Sequence, residues 1–448
     1  MVKIIVSDSV WCQIVEGKEF LFPILSYQSE THKKVQYGTK RIVKRKFLIS
    51  ELKKGDFFYT GFLYRVQKYC KENNIPLKIE DPHGTMEPLF PENEPHVGGK
   101  NIRKGKWSYQ YDLISKAIIS QRGIIKAATG SGKTTMMLGI ISCYPSLSTL
   151  FLCNTHTPIT QFKKTLALSG LNQPIDISTI QSFYRKKPKE YKDKYGIILI
   201  DEVHEGLRTF NSMYAKVLKN SCALIRLGFT ATLPDDPVAR LAMEGLLGPV
   251  IGELTIQEGI DMEVLSKPKI IIKKLPDNPE LKNSKSYRDV YINGVVKNRA
   301  MTRQIILDSI KDSQSGPVLI LVTEIEHGEE IVNMAKRIFK REIVFAQGKT
   351  DKDLREDIRQ GMISGDIDIV IGTAVFKKAL DVPNLVSVIL GFGGKSDAQT
   401  MQAIGRGTRN IDGNKRQVII RDYFCPSHYH LIKHFGFRLC FFIDEGWI

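Results

Sequence analysis

The sequence predicts an α/β protein in which a small basic α+β module precedes two lobes, each built on a parallel sheet, and three observations carry that expectation. Short apolar runs alternate with stretches of helical period in two separate series, one opening at Ser108 and the other near residue 300. Ahead of the first series lies Asp81 to Gly99, where four prolines and three glycines interrupt any regular period. The 448 residues also suit about three domains of ordinary size. Domain boundaries are expected at 1–95, 96–260 and 261–448.

In the N-terminal module, Thr31 to Lys54 carries nine Lys or Arg against one acid, Glu51, interleaved with Tyr37, Ile42, Val43, Phe47, Leu48 and Ile49. Cations beside apolar residues suit a folded unit whose exposed face meets phosphates, with Lys44, Arg45 and Lys46 as candidate contacts; a solvated cationic surface is the plainer reading. Gly61 to Glu72 has apolar groups at helical spacing and is expected to be a helix. In the first series, helix Ser108 to Gln121 leads to strand Gly123 to Ala128, and Lys133 to Ile141 forms the next helix. The runs Thr149 to Cys153, Ile197 to Ile200 and Leu224 to Phe229 read as strands buried on both faces. The second series begins with helix Ala300 to Lys311 and continues through strands at Pro317 to Thr323, Ile343 to Phe345, Ile367 to Ile371, Val386 to Leu390 and Gln417 to Arg421. Gly252 to Ser286, with Pro268 and a polar run from Pro276 to Ser284, is expected to cross between the lobes.

A net charge of +17 with a pI near 9.4 points to a polyanionic partner, because Lys and Arg that neutralise a phosphate backbone release its counterions; an acidic membrane surface is the competing reading. There is no run of eighteen apolar residues and no signal-peptide pattern, so the expectation is a cytoplasmic protein without a membrane span. The seven cysteines are scattered, odd in number and never spaced Cys-x-x-Cys, which supports neither a disulfide framework nor a zinc site. Cys143, Cys153 and Cys222 are expected to be small core residues. His428, His430 and His434 precede an aromatic stretch, Phe435 to Phe442, that reads as a packed terminal element rather than a metal centre.

Four motifs carry chemistry. Ala128-Thr-Gly-Ser-Gly-Lys-Thr134 lies between an expected strand and helix, where a glycine-rich turn lets backbone N–H groups wrap a triphosphate. Thr129, Gly130, Ser131, Gly132 and Thr135 would cradle ATP, Lys133 would reach its terminal phosphates, and the Thr134 hydroxyl would complete a Mg²⁺ shell. Ala127 stands where the first glycine of the usual pattern is found. Asp201 closes an apolar strand, a position from which a carboxylate meets Mg²⁺, and Glu202 beside it is placed to polarise the attacking water. His204 is a candidate link to Thr230-Ala-Thr232, with a structural histidine as the alternative. Arg406 and Arg409, three residues apart on one helical face with Gln402 a turn earlier, are candidates for stabilising transition-state charge.

In this order the motifs resemble those of superfamily 2 helicases of the DExH type, from Asn101 to Asp422. The resemblance implies two tandem RecA-like lobes, ATP with Mg²⁺, and lobe closure tied to hydrolysis. It implies further that Gln110 reads adenine, that Thr155, Thr179, Gln181 and Thr373 touch a polynucleotide, and that Asp381 faces the nucleotide. Asn154-Thr155 replaces the commoner Pro-Thr, Ala379 stands where Gly is usual, and Leu380 where Ile is common. The compact size and small basic N-terminal module further resemble UvsW-like phage helicases, which implies branched or forked DNA as partner, a monomer, and recombination or replication proteins nearby. An RNA helicase, a translocase or nucleotide-switched clamp without unwinding, and the motor subunit of a restriction system are the competing functions.

Overall fold

The computed structural model describes residues 1–35, 38–52, 55–88, 96–97, 100–101, 107–128, 130–262, 264, 268–279, 281, 284, 286–347, 350–373, 382, 384–393, 417–444 and 447–448. They group into two units, Met1–Ala127 with Gly132–Glu253, and Ala128–Ser131 with Leu254–Ile448.

The first unit opens with strands β1 (Val2–Val6), β2 (Trp11–Glu16), β3 (Ser26–Val35), β4 (Gly38–Phe47), β5 (Ser50–Leu52), β6 (Gly55–Tyr59) and β7 (Leu77–Glu80). Five of these form a mixed sheet in the order β5-β6-β2-β1-β7. Alternating residues of β1 are buried, the period expected of a strand with one face on a core. That core is Val2, Ile4, Cys12, Phe58, Phe62 and Val66, the last on helix Leu63–Glu72. β3 and β4 pair over their whole length, from Ser26 opposite Phe47 to Val35 opposite Gly38, as a separate two-stranded ribbon.

The module is fastened to the sheet that follows it. Arg65 holds both carboxylate oxygens of Glu244, Tyr59 stacks on Phe210 with centroids 5.0 Å apart, and a Cβ on Gly61 would fall 2.0 Å from Glu244 O. Arg226, fully buried, donates to Ala223 O (2.7 Å), Leu218 O (2.8 Å) and Ser9 Oγ, so a residue near the N-terminus helps satisfy an arginine of the lobe. Burial drives the Arg226 pKa well down, since its partners among the described residues are carbonyls and a hydroxyl rather than an acid.

After the short ribbon β8 (His96–Val97) and β9 (Lys100–Asn101) come β10 (Arg122–Ala127), β11 (Thr149–Cys153), β12 (Ile175–Thr179), β13 (Ile197–Asp201), β14 (Ile225–Thr230) and β15 (Val250–Leu254). They lie in the order β12-β11-β13-β14-β10-β15, with parallel pairing from β12 through to β10. Residues Ile197 to Ile200 are all buried, as a strand covered on both faces requires. Local signals set the helix ends: Asp236 caps Val238 N with Pro237 at the first position, and Gly248 at φ 128 ends that helix.

The second unit contains β16 (Lys269–Lys274), β17 (Val318–Leu321), β18 (Val344–Ala346), β19 (Ile369–Gly372), β20 (Ser387–Leu390) and β21 (Ile419–Phe424), ordered β16-β21-β20-β17-β19-β18 with every neighbouring pair parallel. The two lobes are thus RecA-like α/β layers, as the sequence predicts. Gly252 to Ser286 corrects one expectation: it is not a bare crossing segment, because Lys269-Ile-Ile-Ile-Lys-Lys274 pairs with β21 at the sheet edge. Lysines at both ends and the preceding Pro268 disguised three β-branched residues as linker.

On one face of β21, Arg421 holds both oxygens of Asp312 (2.6 Å each) and Lys273 and Tyr423 meet Asp308; Asp422, the next residue of the strand, is held by Arg438 of the C-terminal helix Tyr429–Asp444 at 2.7 and 2.9 Å. The expected terminal packing is realised through Phe442 and Arg438, whereas Phe437 is exposed. His428 stacks on His430, and His430 and His434 meet the ring of Tyr287 edge-on. Cys222 is a second correction: it is exposed, because it follows the end of helix Met213–Lys219 in the polar turn Asn220-Ser221. Among the described residues no helix is long and apolar enough to cross a membrane.

Candidate nucleotide and polynucleotide site

Strand β10 ends at Ala127, and helix Lys133–Ser142 begins six residues later. Gly130 (φ 91) and Gly132 (φ 81) take left-handed backbone that other residues enter only at a cost. Gly132 is also closely approached: a Cβ there would lie 2.3 Å from Nε2 of Gln110, a buried residue whose carboxamide donates to Tyr109 Oη (3.1 Å). Among the described residues no side chain caps this helix, and its first turn holds no acid, which suits its leading N–H groups to an anion. A side chain at 132 would have to displace the Gln110 carboxamide, so glycine there keeps this part of the loop open for a phosphate. Lys133 Nζ donates to Ala127 O (3.2 Å) and stands 3.8 Å from Glu202 Oε1; Thr134 and Thr135 are half-buried beside it. Thr129 lies outside the described residues.

Asp201 is the last residue of β13, and Glu202 turns the chain with φ 46 into the short helical turn Val203–Glu205. A non-glycine residue held there stores roughly 1–2 kcal/mol of strain. Glu202 Oε2 is buried with no hydrogen-bond partner among the described residues, 3.5 Å from His204 Nδ1. His204 Nδ1 is 2.7 Å from Thr230 Oγ1, which donates to Thr232 O (2.6 Å) and accepts from Thr232 N (3.3 Å). The Thr230 hydroxyl has one proton and gives it to a carbonyl, so the proton between Thr230 and His204 belongs to Nδ1. Burial lowers the His204 pKa against the opposing pull of Glu202 and Glu205, leaving the imidazole neutral at pH 7. A carboxylate flanked by a lysine and a neutral histidine, with one oxygen uncommitted, is equipped to take a proton from water.

Three other candidates sit along the same edge of the sheet. Thr155 precedes helix His156–Ala167; Thr179 is 5% exposed and caps Ser182 N (3.4 Å); Gln181 is exposed. Gln181 Nε2 donates to Asn154 Oδ1 (2.9 Å), and Asn154 Nδ2 donates to Glu205 Oε2 (3.1 Å). Sequence reading missed that bridge, although the asparagine in place of proline was its visible signal. In the second unit, Thr373 follows β19, is 7% exposed, and donates its N–H to Ala346 O (3.3 Å). Asp381, Gln402, Arg406 and Arg409 lie outside the described residues. Lys44, Arg45 and Lys46 are exposed on β4, where Arg45 also bonds Ser26 Oγ (2.9 Å) and Phe22 O (3.3 Å).

A glycine cradle at the end of β10 and an acid pair at the end of β13, two strands away in the same sheet, define a phosphate-loop nucleotide hydrolase. The type III restriction enzyme res subunit family matches residues 106–173 and 167–235, and the helicase conserved C-terminal domain matches 297–410. The chain belongs to the superfamily 2 helicases and is an ATP-hydrolysing enzyme. It is 25% identical over 351 residues to helicase 22 of Sulfolobus islandicus filamentous virus, covering 69% of this chain and 61% of that protein's length. It is 22% identical over 401 residues to the ATP-dependent DNA helicase uvsW of Enterobacteria phage T4, covering 81% of this chain and 78% of that protein. A fragment structure of an HsdR subunit of a type I restriction enzyme from Vibrio vulnificus shares the fold at 16% identity, with a TM-score of 0.55 over 89% of this chain and 87% of that one.

Proposed function

We propose that this helicase is a DNA motor that unwinds or branch-migrates forked and Holliday-type junctions in recombination, repair and replication. The observation that supports it is the set of contacts at one sheet edge: Lys133 and His204 each approach Glu202, while Asn154 joins the same turn to exposed Gln181. Lys133 and the glycine cradle bind the triphosphate of ATP; Thr134 and Asp201 are the residues suited to hold Mg²⁺, which would neutralise phosphate charge. Glu202 accepts the proton of the attacking water, and His204, held by Thr230, keeps Glu202 in register with the Thr230–Thr232 turn. Gln402, Arg406 and Arg409 supply transition-state charge stabilisation, and Asp381 contacts the nucleotide. Thr155, Thr179 and Gln181 of the first unit and Thr373 of the second each contact the polynucleotide backbone, and the basic ribbon β3–β4 engages duplex. The net charge of +17 and the DNA helicase of phage T4 among the relatives favour DNA as the track.

The test is ATP-dependent remodelling of sequence-matched linear duplex, fork and four-way-junction DNA, with an RNA duplex in parallel and Lys133→Ala as control. Faster processing of junctions than of linear duplex is expected. Activity confined to RNA would overturn the reading, and hydrolysis without strand displacement would replace it with translocation or clamping.

A further inference from the structure

Asn154 lies just beyond β11, the strand between β12 and β13, so its neighbours at the same sheet edge are the turn carrying Gln181 and the turn carrying Glu202 and Glu205. Its carboxamide bridges them, taking an N–H from Gln181 Nε2 at 2.9 Å and giving one to Glu205 Oε2 at 3.1 Å. The orientation is dictated by chemistry, since a carboxylate only accepts and Nδ2 must therefore face Glu205. A proline at this position could make neither bond. Glu205 in turn donates its backbone N–H to Glu202 O (2.9 Å), one helical turn back, at the residue held at φ 46.

We propose that Asn154 is a positioning residue that couples occupancy of the polynucleotide edge at Gln181 to the placement of Glu202, so that nucleic acid accelerates ATP turnover through this side chain. The proposal rests on the reading of Thr179 and Gln181 as polynucleotide contacts. Gln181 is exposed and Asn154 half-buried, so an incoming phosphate meets the outer member of the chain first. Phosphate oxygens compete for the Gln181 N–H donors. Asn154 Oδ1 then loses its donor, and the carboxamide is left tied to Glu205 alone. Its shift passes through Glu205 to a backbone already outside its preferred region, where small displacements redirect the Glu202 carboxylate.

The test compares Asn154→Asp with the double variant Asn154→Asp, Glu205→Gln. The single change keeps the shape and the acceptor for Gln181 but sets two carboxylates against each other. The double change restores one donor and one acceptor with the direction reversed. Basal ATP turnover, turnover at saturating single-stranded oligodeoxynucleotide, and the oligonucleotide concentration giving half-stimulation are measured for each. For Asn154→Asp the ratio of stimulated to basal kcat should fall about 10-fold, with basal kcat and half-stimulating concentration within about 2-fold of the parent, and the double variant should recover most of the ratio. An unchanged ratio in the single variant, an equal loss of basal turnover, or no recovery in the double variant each overturns the coupling role. A parent protein that no polynucleotide stimulates overturns the proposed function and this inference together; a stimulated parent with an equally stimulated variant overturns the inference alone.

Discussion

At the strand ends of the first sheet, Lys133 and His204 each approach Glu202 within 4 Å and one Glu202 oxygen has no hydrogen-bond partner among the described residues, whereas Arg421, Arg438, Asp312 and Asp422 in the second unit are at most 4% exposed and pair bidentately. Both sheets have six strands and largely parallel neighbours. The same architecture therefore hosts two uses of charge. Where the valences of a buried ion pair are filled internally, the pair fixes a helix or a strand. Where a carboxylate oxygen is left without a partner, the fold has held back hydrogen-bonding capacity for a ligand or a reacting water.

Breaking each kind of site separates them most sharply. Glu202→Gln should lower ATP turnover by about 10³–10⁴-fold while nucleotide binding survives, because the amide fills the same space without accepting a proton. Lys133→Ala should lose turnover and nucleotide affinity together. Both are checked by steady-state ATPase kinetics beside fluorescent-nucleotide titration, and an active Glu202→Gln protein would remove that residue from the chemistry. In the second unit, Asp422→Asn should cost about 3–5 kcal/mol in urea unfolding, since it leaves the Arg438 guanidinium buried without its counter-charge. Replacing the pair together, by Asp422→Leu and Arg438→Met, should return most of that loss. A double variant no more stable than the single one would mean that the pair does more than neutralise itself.

The sequence made the lobes legible because a strand covered on both faces must be a continuous apolar run, and Ile197 to Ile200 and Thr149 to Cys153 are such runs. It made the phosphate cradle legible because glycine takes the left-handed backbone at 130 and 132 without the cost other residues carry there. It hid β16, since an edge strand flanked by lysines has the composition of a linker. It also hid the Gln181–Asn154–Glu205 bridge, whose members lie 27 and 51 residues apart and meet only because β11 sits between β12 and β13. Strand order, unlike strand identity, is not written in local periodicity. Cys222 misled for the opposite reason: its residue type is usually buried, and the turn after a helix overrode that tendency.

His327 offers an intermediate case, a buried titratable group in the second unit, 1% exposed, with its Nε2 unpartnered among the described residues and a hydrogen bond to the backbone of Gly391. Desolvation lowers its pKa from 6.5 to about 4. In that window the unfolded chain binds a proton that the folded chain does not, so stability falls as pH drops below about 6.5. Between pH 7 and pH 5 this group alone should remove about 2 kcal/mol. Asp312 acts elsewhere: burial is outweighed by its Arg421 bonds, its pKa is held below the usual carboxylate range, and its contribution is lost only as pH falls below about 4. Urea midpoints of the parent and His327→Gln at both pH values should diverge by that amount. Parallel pH dependences would show that His327 is protonated at no cost.

The smallest effect is expected where both uses of charge occur in consecutive residues. On β4, Lys44 and Lys46 stand opposite Ser29 and Tyr27, while Arg45 stands opposite Gln28 and therefore on the other face of the ribbon. Arg45 bonds Ser26 Oγ and Phe22 O and lies over the Phe47 ring at 5.9 Å, so part of its charge already serves the ribbon's root. Lys44 and Lys46 are exposed and better placed to neutralise phosphates. Changing both lysines to Ala should reduce the slope of log affinity against log salt on duplex DNA by about 2, each phosphate contact contributing about 0.9. Arg45→Ala should change that slope by less than about 1 and instead destabilise the N-terminal module by about 0.5–1.5 kcal/mol. Equal slopes before and after the lysine changes would return this surface to a solvated cationic face, and an arginine effect as large as the lysine pair's would place its charge on the phosphates as well.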